Sequence, residues 1–187
     1  MALHLGHRRS QDPNLFSPQH FDPLSLQGSL EETVGQIARA MPRQDTLHLE
    51  VRGVKMPSIR QAAIGVSVDG EIDGVPVADR ESLLAMKLSA IAGRGQRKDF
   101  IDVFGLQQAG VGGSDLLGFA KMRLPSLDQT RLLTSLGYFE DADGAPMPEM
   151  LVNWRWPEVR HHFERTVRDE LHKHQAQLGT AGEEPEI

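Results

Sequence analysis

The stretch 79–108 constrains the fold more than any other, because it places a lysine within an apolar helix face. In the first of two predicted helices, Leu84, Leu88 and Ile91 recur at the spacing that gathers residues onto one face. Lys87 falls in the middle of this stripe. Because burial of an unpaired ammonium costs free energy, Lys87 must reach either water or a carboxylate.

Two carboxylates follow a glycine-containing break at 93–95. Asp99 and Asp102 are three residues apart, so they lie on one side of the second predicted helix. The physics favours a buried ion pair with Lys87 that locks the two helices together. The alternative is a catalytic lysine–carboxylate set. The junction also carries a basic cluster: Arg94, Arg97 and Lys98.

Length and composition describe an ordinary globular protein. A chain of 187 residues with 39% apolar and 25% charged residues is sufficient for one domain, which we expect over 1–178. The remaining 179–187 are polar and acidic, and we expect a disordered tail. The net charge of −6 argues against broad, non-specific nucleic-acid binding and leaves a local basic groove possible.

The absence of cysteine excludes disulfides and cysteine-ligated metal sites. No apolar run approaches the ~18–20 residues that span a bilayer, so we expect no membrane association. The start, MALHLGHRRS, lacks a hydrophobic signal core, which predicts a cytoplasmic protein.

The order of elements predicts an α+β fold with a small mixed or antiparallel sheet and a helical C-terminal half. Ser29 and Glu32 form a capping box, which predicts a helix over 29–40 that ends before Pro42. Beyond Gln108 the pattern is helical up to the predicted tail. The predicted strands are 10–17, 46–51, 54–59, 62–66 and 74–78.

The run LLAMKLSAIAGRGQRKDFIDVFGLQQ resembles the signature segment of the AbiEii/AbiGii-type nucleotidyltransferase toxins, which belong to abortive-infection, type IV toxin–antitoxin systems. That family has a lysine in such a helix, then an Arg-Gly turn, then a (Lys/Arg)-Asp-Phe-hydrophobic-Asp helix. The flanking segments LGHRRSQDPNLFS and SLGYFEDADGAPMPEM agree with it, so the resemblance extends to about Val167.

The resemblance implies a nucleotidyltransferase-like fold and transfer of a nucleoside monophosphate from an NTP to an RNA acceptor such as tRNA. It implies two magnesium ions held by strand carboxylates and a co-encoded antitoxin as partner. Lys87 would approach the nucleotide phosphates, while Asp99 or Asp102 would orient it or serve as a base. Arg8, Arg9 and Lys98 are the candidates for substrate binding, with an exposed basic rim as the simpler interpretation of Arg8 and Arg9.

The chain departs from the family pattern at its predicted metal site. The family's Asp-hydrophobic-Asp/Glu strand corresponds to Asp12, Pro13 and Asn14, so we expect weak magnesium binding at Asp12 and Asn14. No carboxylate occurs in 55–60 to supply a third ligand, and the family's phosphate-binding glycine pair would precede Met1. We therefore expect an N-terminally truncated or degenerate copy with impaired activity, or a catalytically inactive binding module.

Overall fold

The computed structural model of the protein describes residues 1–10, 12–60 and 64–180. All six strands lie before residue 79 and the chain beyond it is helical, so the predicted α+β fold with a helical C-terminal half is confirmed. The strands are β1 (Leu15–Ser17), β2 (Arg39–Arg43), β3 (Thr46–Val51), β4 (Val54–Arg60), β5 (Val68–Ile72) and β6 (Val75–Ala78). The helices are α1 (Ala2–Leu5), α2 (Pro23–Val34), α3 (Arg80–Gly93), α4 (Arg97–Gln108), α5 (Leu116–Arg123), α6 (Gln129–Leu136), α7 (Glu140–Gly144) and α8 (Trp156–Thr180).

The main sheet has the order β1-β4-β3-β2 and is mixed, as the sequence predicts. β1 runs parallel to β4, whereas β3 pairs antiparallel with both β2 and β4. Arg52 and Gly53 connect β3 to β4 with φ angles of 51° and 80°, the backbone twist that a tight hairpin turn requires. β5 and β6 form a separate two-stranded hairpin.

The helix predicted over 29–40 is wrong in position. α2 begins at Pro23 because Asp22 accepts a hydrogen bond from the Ser25 backbone N–H at 2.8 Å, and proline suits the first helical position. The chain after Gly35 forms β2, the edge strand of the sheet. Pro42 is tolerated there because an edge strand leaves some backbone N–H groups unused.

The main hydrophobic core lies among helices α3 to α8. Leu84, Leu88, Phe100, Ile101 and Phe163 are each 2% exposed or less. α3 packs against α4, and this pair is covered by α5, α6, α7 and α8. The stripe that surrounds Lys87 is therefore the centre of the core.

The C-terminal tail and the extent of the domain were also predicted. α8 extends through Thr180, two residues into the predicted tail, and 181–187 lie outside the described residues. The single domain over 1–178 stays a prediction. Within 1–10, 12–60 and 64–180, no helix combines the length and the apolar character needed to cross a bilayer.

Candidate active site

Lys87 bridges both carboxylates of α4. Its Nζ lies 2.9 Å from Asp99 Oδ1 and 2.7 Å from Asp102 Oδ2. Gly95 has a φ of 52°, which allows the short turn that brings the first turns of α4 beside α3. The Lys87 side chain is 18% exposed and both carboxylates are fully buried. The predicted ion pair is confirmed, and it involves both aspartates.

Asp102 has two further partners from the N-terminal segment. Arg8 donates from Nε and Nη2 to its two oxygens at 2.7 and 2.8 Å, a bidentate arrangement. His7 Nε2 lies 2.8 Å from Oδ1. Burial alone would raise the pKa of Asp102, but the hydrogen bonds from Arg8 and His7 and the charge of Lys87 outweigh it and hold that pKa well below its usual range. Asp102 is therefore ionised and a poor proton acceptor at neutral pH.

Sequence reasoning missed His7. Its side chain is fully buried, its ring centroid is 5.7 Å from that of Trp154, and its Nδ1 has no hydrogen-bond partner in the described part of the chain. The backbone of 7–9 pairs with 149–151, which fixes where His7 and Arg8 lie. The only available signal was that both segments belong to the family pattern, because no periodicity relates residues 95 positions apart.

Asp99 is held from the other side. Arg94 donates from Nε to Asp99 Oδ2 at 3.2 Å, while its own side chain is 56% exposed. Arg97 points elsewhere: it donates to the Ala142 and Asp143 backbone oxygens at 2.9 and 2.8 Å. The predicted basic cluster is thus divided, with Arg97 anchoring α7.

A polar cleft of about 620 Å³ adjoins this buried network. The N-terminal segment, β3 and β4, the α3–α4 junction and the segment 146–149 form its walls. Five predicted site residues line it, and Lys87, Asp99 and Asp102 do not. The lining residues are Arg8, Arg9, Ser10, Asp12, Asn14, His48, Lys55, Pro57, Arg94, Lys98, Pro146, Pro148 and Glu149.

The lining of the cleft is positive, although the whole chain carries −6. Five lysine and arginine side chains face two carboxylates, those of Asp12 and Glu149. Arg9 and Glu149 pair at 3.1 Å, but both are more than 60% exposed, so water screens this pair. A concave, positive site of this size is suited to a phosphorylated small molecule.

Comparison with known proteins agrees with a site for a phosphorylated molecule. The family described as nucleotidyl transferase AbiEii toxin, type IV toxin–antitoxin system, matches residues 4–176. The chain belongs to the AbiEii family. It is also similar to an uncharacterised protein of Aquifex aeolicus (strain VF5), with 27% identity over 176 residues, 91% of this chain and 84% of that relative.

Membership in the AbiEii family supports a nucleotidyltransferase toxin function and implies an antitoxin partner. The segments that carry the resemblance meet in space. The Lys87 helix, the helix with Asp99 and Asp102, and the residues around Arg8 and Glu149 surround one cleft. This convergence explains why segments so far apart belong to one pattern.

The residues present do not fit the two-magnesium site that the family resemblance implies. The strand predicted over 10–17 is wrong in extent: Asp12 and Asn14 precede β1, which begins at Leu15, so strand alternation does not align them. Asp12 Oδ1 accepts a hydrogen bond from the Lys55 backbone N–H at 3.2 Å. Among the described residues, no group of three or more histidine, aspartate or glutamate side chains is placed to hold a metal ion.

Arg8 differs from the exposed basic rim expected of it. Its side chain is 10% exposed, and Nη1 donates to the Arg9 backbone oxygen at 3.1 Å while Nε and Nη2 bind Asp102. Arg9 is 67% exposed, as a rim residue should be. Lys55 also lines the cleft and was not predicted as a site residue, because the family resemblance implies a carboxylate on this strand.

Proposed function

We propose that this AbiEii-family protein binds the triphosphate of an NTP in the polar cleft and transfers the nucleoside monophosphate to an RNA acceptor at a reduced rate. The observation that supports the proposal is the concentration of cationic side chains in one cleft of an acidic chain. A triphosphate is a compact, multiply charged anion, so it gains most from several convergent cations.

Arg9, Lys55 and Lys98 are exposed residues that line the cleft, and they are the groups we assign to the phosphates. Arg94 lines the cleft as well, but shares its guanidinium with Asp99. Phosphoryl transfer depends mainly on positioning and on electrostatic stabilisation of charge, which these side chains supply.

Lys87, Asp99 and Asp102 act through other residues in this proposal. Asp102 holds Arg8, Asp99 holds Arg94, and Lys87 fixes both aspartates relative to α3. The three are thus positioning residues for the cleft wall. A base role for either aspartate is disfavoured, because both are buried and already ion-paired.

The reaction requires an RNA hydroxyl oxygen to bond to the α-phosphorus while the bond from that phosphorus to the bridging oxygen breaks, releasing pyrophosphate. The hydroxyl proton must pass to a base, and Asp12 is the carboxylate in the cleft that we assign to it. We expect a reduced rate because Asn14 supplies no second carboxylate beside Asp12 in the cleft.

Calorimetric titration with a non-hydrolysable NTP tests the binding step. Replacing a phosphate-binding cation should weaken binding, so Arg9→Gln and Lys98→Gln should each raise Kd at least about fivefold, as expected for a charged hydrogen bond. Arg168→Gln and Lys121→Gln are matched controls, since both residues are exposed on helices and neither lines the cleft. Unchanged Kd values in the two cleft variants would refute the proposal.

Incubation of RNA with α-labelled NTPs tests transfer. We expect labelling that is weak, exceeds a boiled control and is abolished by Asp12→Asn. Tight NTP binding without any labelling would instead support a second candidate, a nucleotide-binding module without catalysis. The lack of a three-ligand metal group among the described residues favours that candidate.

A further inference from the structure

The sheet β1-β4-β3-β2 has one covered face and one open face. Alternate residues of β3, Leu47, Leu49 and Val51, are buried on one face of the sheet, and α2 contacts both β2 and β3. On the opposite face Met41, His48 and Pro57 are register partners across β2, β3 and β4. Met41 is 40% exposed and His48 is exposed, so no element within residues 1–10, 12–60 and 64–180 covers the centre of this face.

The open face is continuous with the polar cleft. It carries a shallow cavity of about 350 Å³, and three of its lining residues, His48, Lys55 and Pro57, also line the cleft. The cavity and the cleft therefore adjoin along these three residues, so a ligand of sufficient length can contact both. The cavity is lined by Met41, Arg43, His48, Leu49, Glu50, Lys55 and Pro57.

We propose that this open sheet face binds the single-stranded end of the acceptor RNA and directs its terminal hydroxyl into the cleft. The assignment of the strand as an acceptor rests on the proposed function, whereas the binding of single-stranded RNA can be tested independently. Single-stranded nucleic acids need cations for the phosphates and flat or apolar groups for the unstacked bases.

The face offers both kinds of group at a suitable spacing. Arg43 and Lys55 are exposed cations on it, and the exposed imidazole of His48 lies between Met41 and Pro57 in the strand register. Adjacent strands are about 4.8 Å apart, so the row from Met41 to Pro57 spans roughly 10 Å, room for one or two stacked bases. Arginine and histidine both stack on bases, which favours RNA over a purely aliphatic partner.

Glu50 is the one carboxylate on this cavity. It lies opposite Lys55 in the register of β3 and β4. Because its carboxylate is negatively charged, it repels a phosphate placed near it. This position therefore orients the strand: phosphates should run along the Arg43 side and approach Lys55 only at the entrance of the cleft. Removal of the Glu50 charge should strengthen RNA binding.

Fluorescence anisotropy with a labelled, unstructured RNA of about 12 nucleotides tests the proposal, since single-strand sites cover ~4–16 nucleotides. Arg43→Gln should weaken binding and reduce the slope of log K against log salt by about 0.7, the value for one lost phosphate contact. His48→Ala should weaken binding at least about fivefold through lost stacking, and His48→Tyr should retain it. Glu50→Gln should tighten binding.

Arg168→Gln and His161→Ala on the exposed face of α8 are matched controls and should leave RNA affinity unchanged. Circular dichroism melting of every variant distinguishes lost contacts from unfolding. RNA affinity and salt slope that are unaffected by Arg43→Gln and His48→Ala would overturn the proposal, and so would equal loss in the α8 variants.

Titration with the NTP analogue separates this inference from the proposed function. Arg43 does not line the cleft, so Arg43→Gln should keep the wild-type NTP affinity while it loses RNA affinity. RNA binding that depends on Arg43, in a protein that binds no NTP, would support the sheet-face site and refute the nucleotide site. NTP binding without Arg43-dependent RNA binding would do the reverse.

Discussion

Replacement of Lys87 by methionine tests the central ion network directly. Methionine keeps the length and apolar stem of lysine but removes the ammonium that lies 2.9 Å from Asp99 and 2.7 Å from Asp102. Removing one partner of a buried pair typically costs ~3–5 kcal/mol, because the other charge stays buried without compensation. Asp102 keeps Arg8 and His7, so we expect the lower end of this range, about 3 kcal/mol.

Thermal and urea unfolding followed by circular dichroism measures this loss. For a protein of this size, about 3 kcal/mol corresponds to a decrease in Tm of roughly 6–12 °C. Lys98→Met is the matched control. Lys98 is exposed on α4, one turn before Asp102, and its replacement should change the free energy of unfolding by less than about 0.5 kcal/mol.

The network also determines which second change should restore stability. With Lys87 gone, the side-chain partner that Asp99 retains in the described part of the chain is Arg94, which is more than half exposed and can return to water. Lys87→Met combined with Asp99→Leu should therefore recover much of the loss, whereas Lys87→Met with Asp102→Leu should not, because Arg8 and His7 would lose their acceptor. If the free energy of unfolding of Lys87→Met lies within about 0.5 kcal/mol of the wild-type value, the ion pair does not stabilise the fold and the prediction is refuted.

Three further predictions concern pH, metal and packing. The folded-state pKa of Asp102 lies below its unfolded value, so its contribution to stability should be constant above pH ~5 and decrease as pH falls below ~4. Urea unfolding at several pH values should show that the free energy of unfolding depends less on pH in Asp102→Asn than in wild type, and an equal dependence would contradict this. Calorimetry should show at most weak Mn²⁺ binding at Asp12; tight stoichiometric binding in wild type that is lost in Asp12→Ala would contradict this. Gly112 has a φ of 82°, and an added Cβ would lie 2.5 Å from Leu84 Cδ2, so Gly112→Ala should destabilise by about 1–3 kcal/mol; a Tm within experimental error of wild type would exclude this strain.

Local signals in the sequence were reliable where one interaction dominated. The lysine within an apolar stripe predicted its own carboxylate partners, since a buried ammonium has few alternatives and the break at 93–95 is short. The β3–β4 hairpin followed from alternation and from the Arg52-Gly53 turn. In both cases the interacting residues are close in sequence.

Local signals failed where two of them competed or where the pairing was distant. Ser29 and Glu32 have the pattern of a capping box, yet Asp22 and Pro23 start the helix earlier, and pairing with β3 draws the following residues into β2. The convergence of His7 and Arg8 on Asp102 depends on a backbone bridge to the segment around Met150. No periodicity in the sequence encodes such a contact.

The sequence by itself determined the fold class, the helix pair around Lys87 and the resemblance to the AbiEii family, because these depend on residue type and short spacing. Only the tertiary structure decided that Asp102 binds Arg8 and His7, that Asp12 and Asn14 lie outside β1, and that Lys55 joins the cleft. Those arrangements depend on how segments that are distant in the sequence pack against one another. Packing of this kind minimises the free energy of the whole chain, and short stretches of sequence do not contain it.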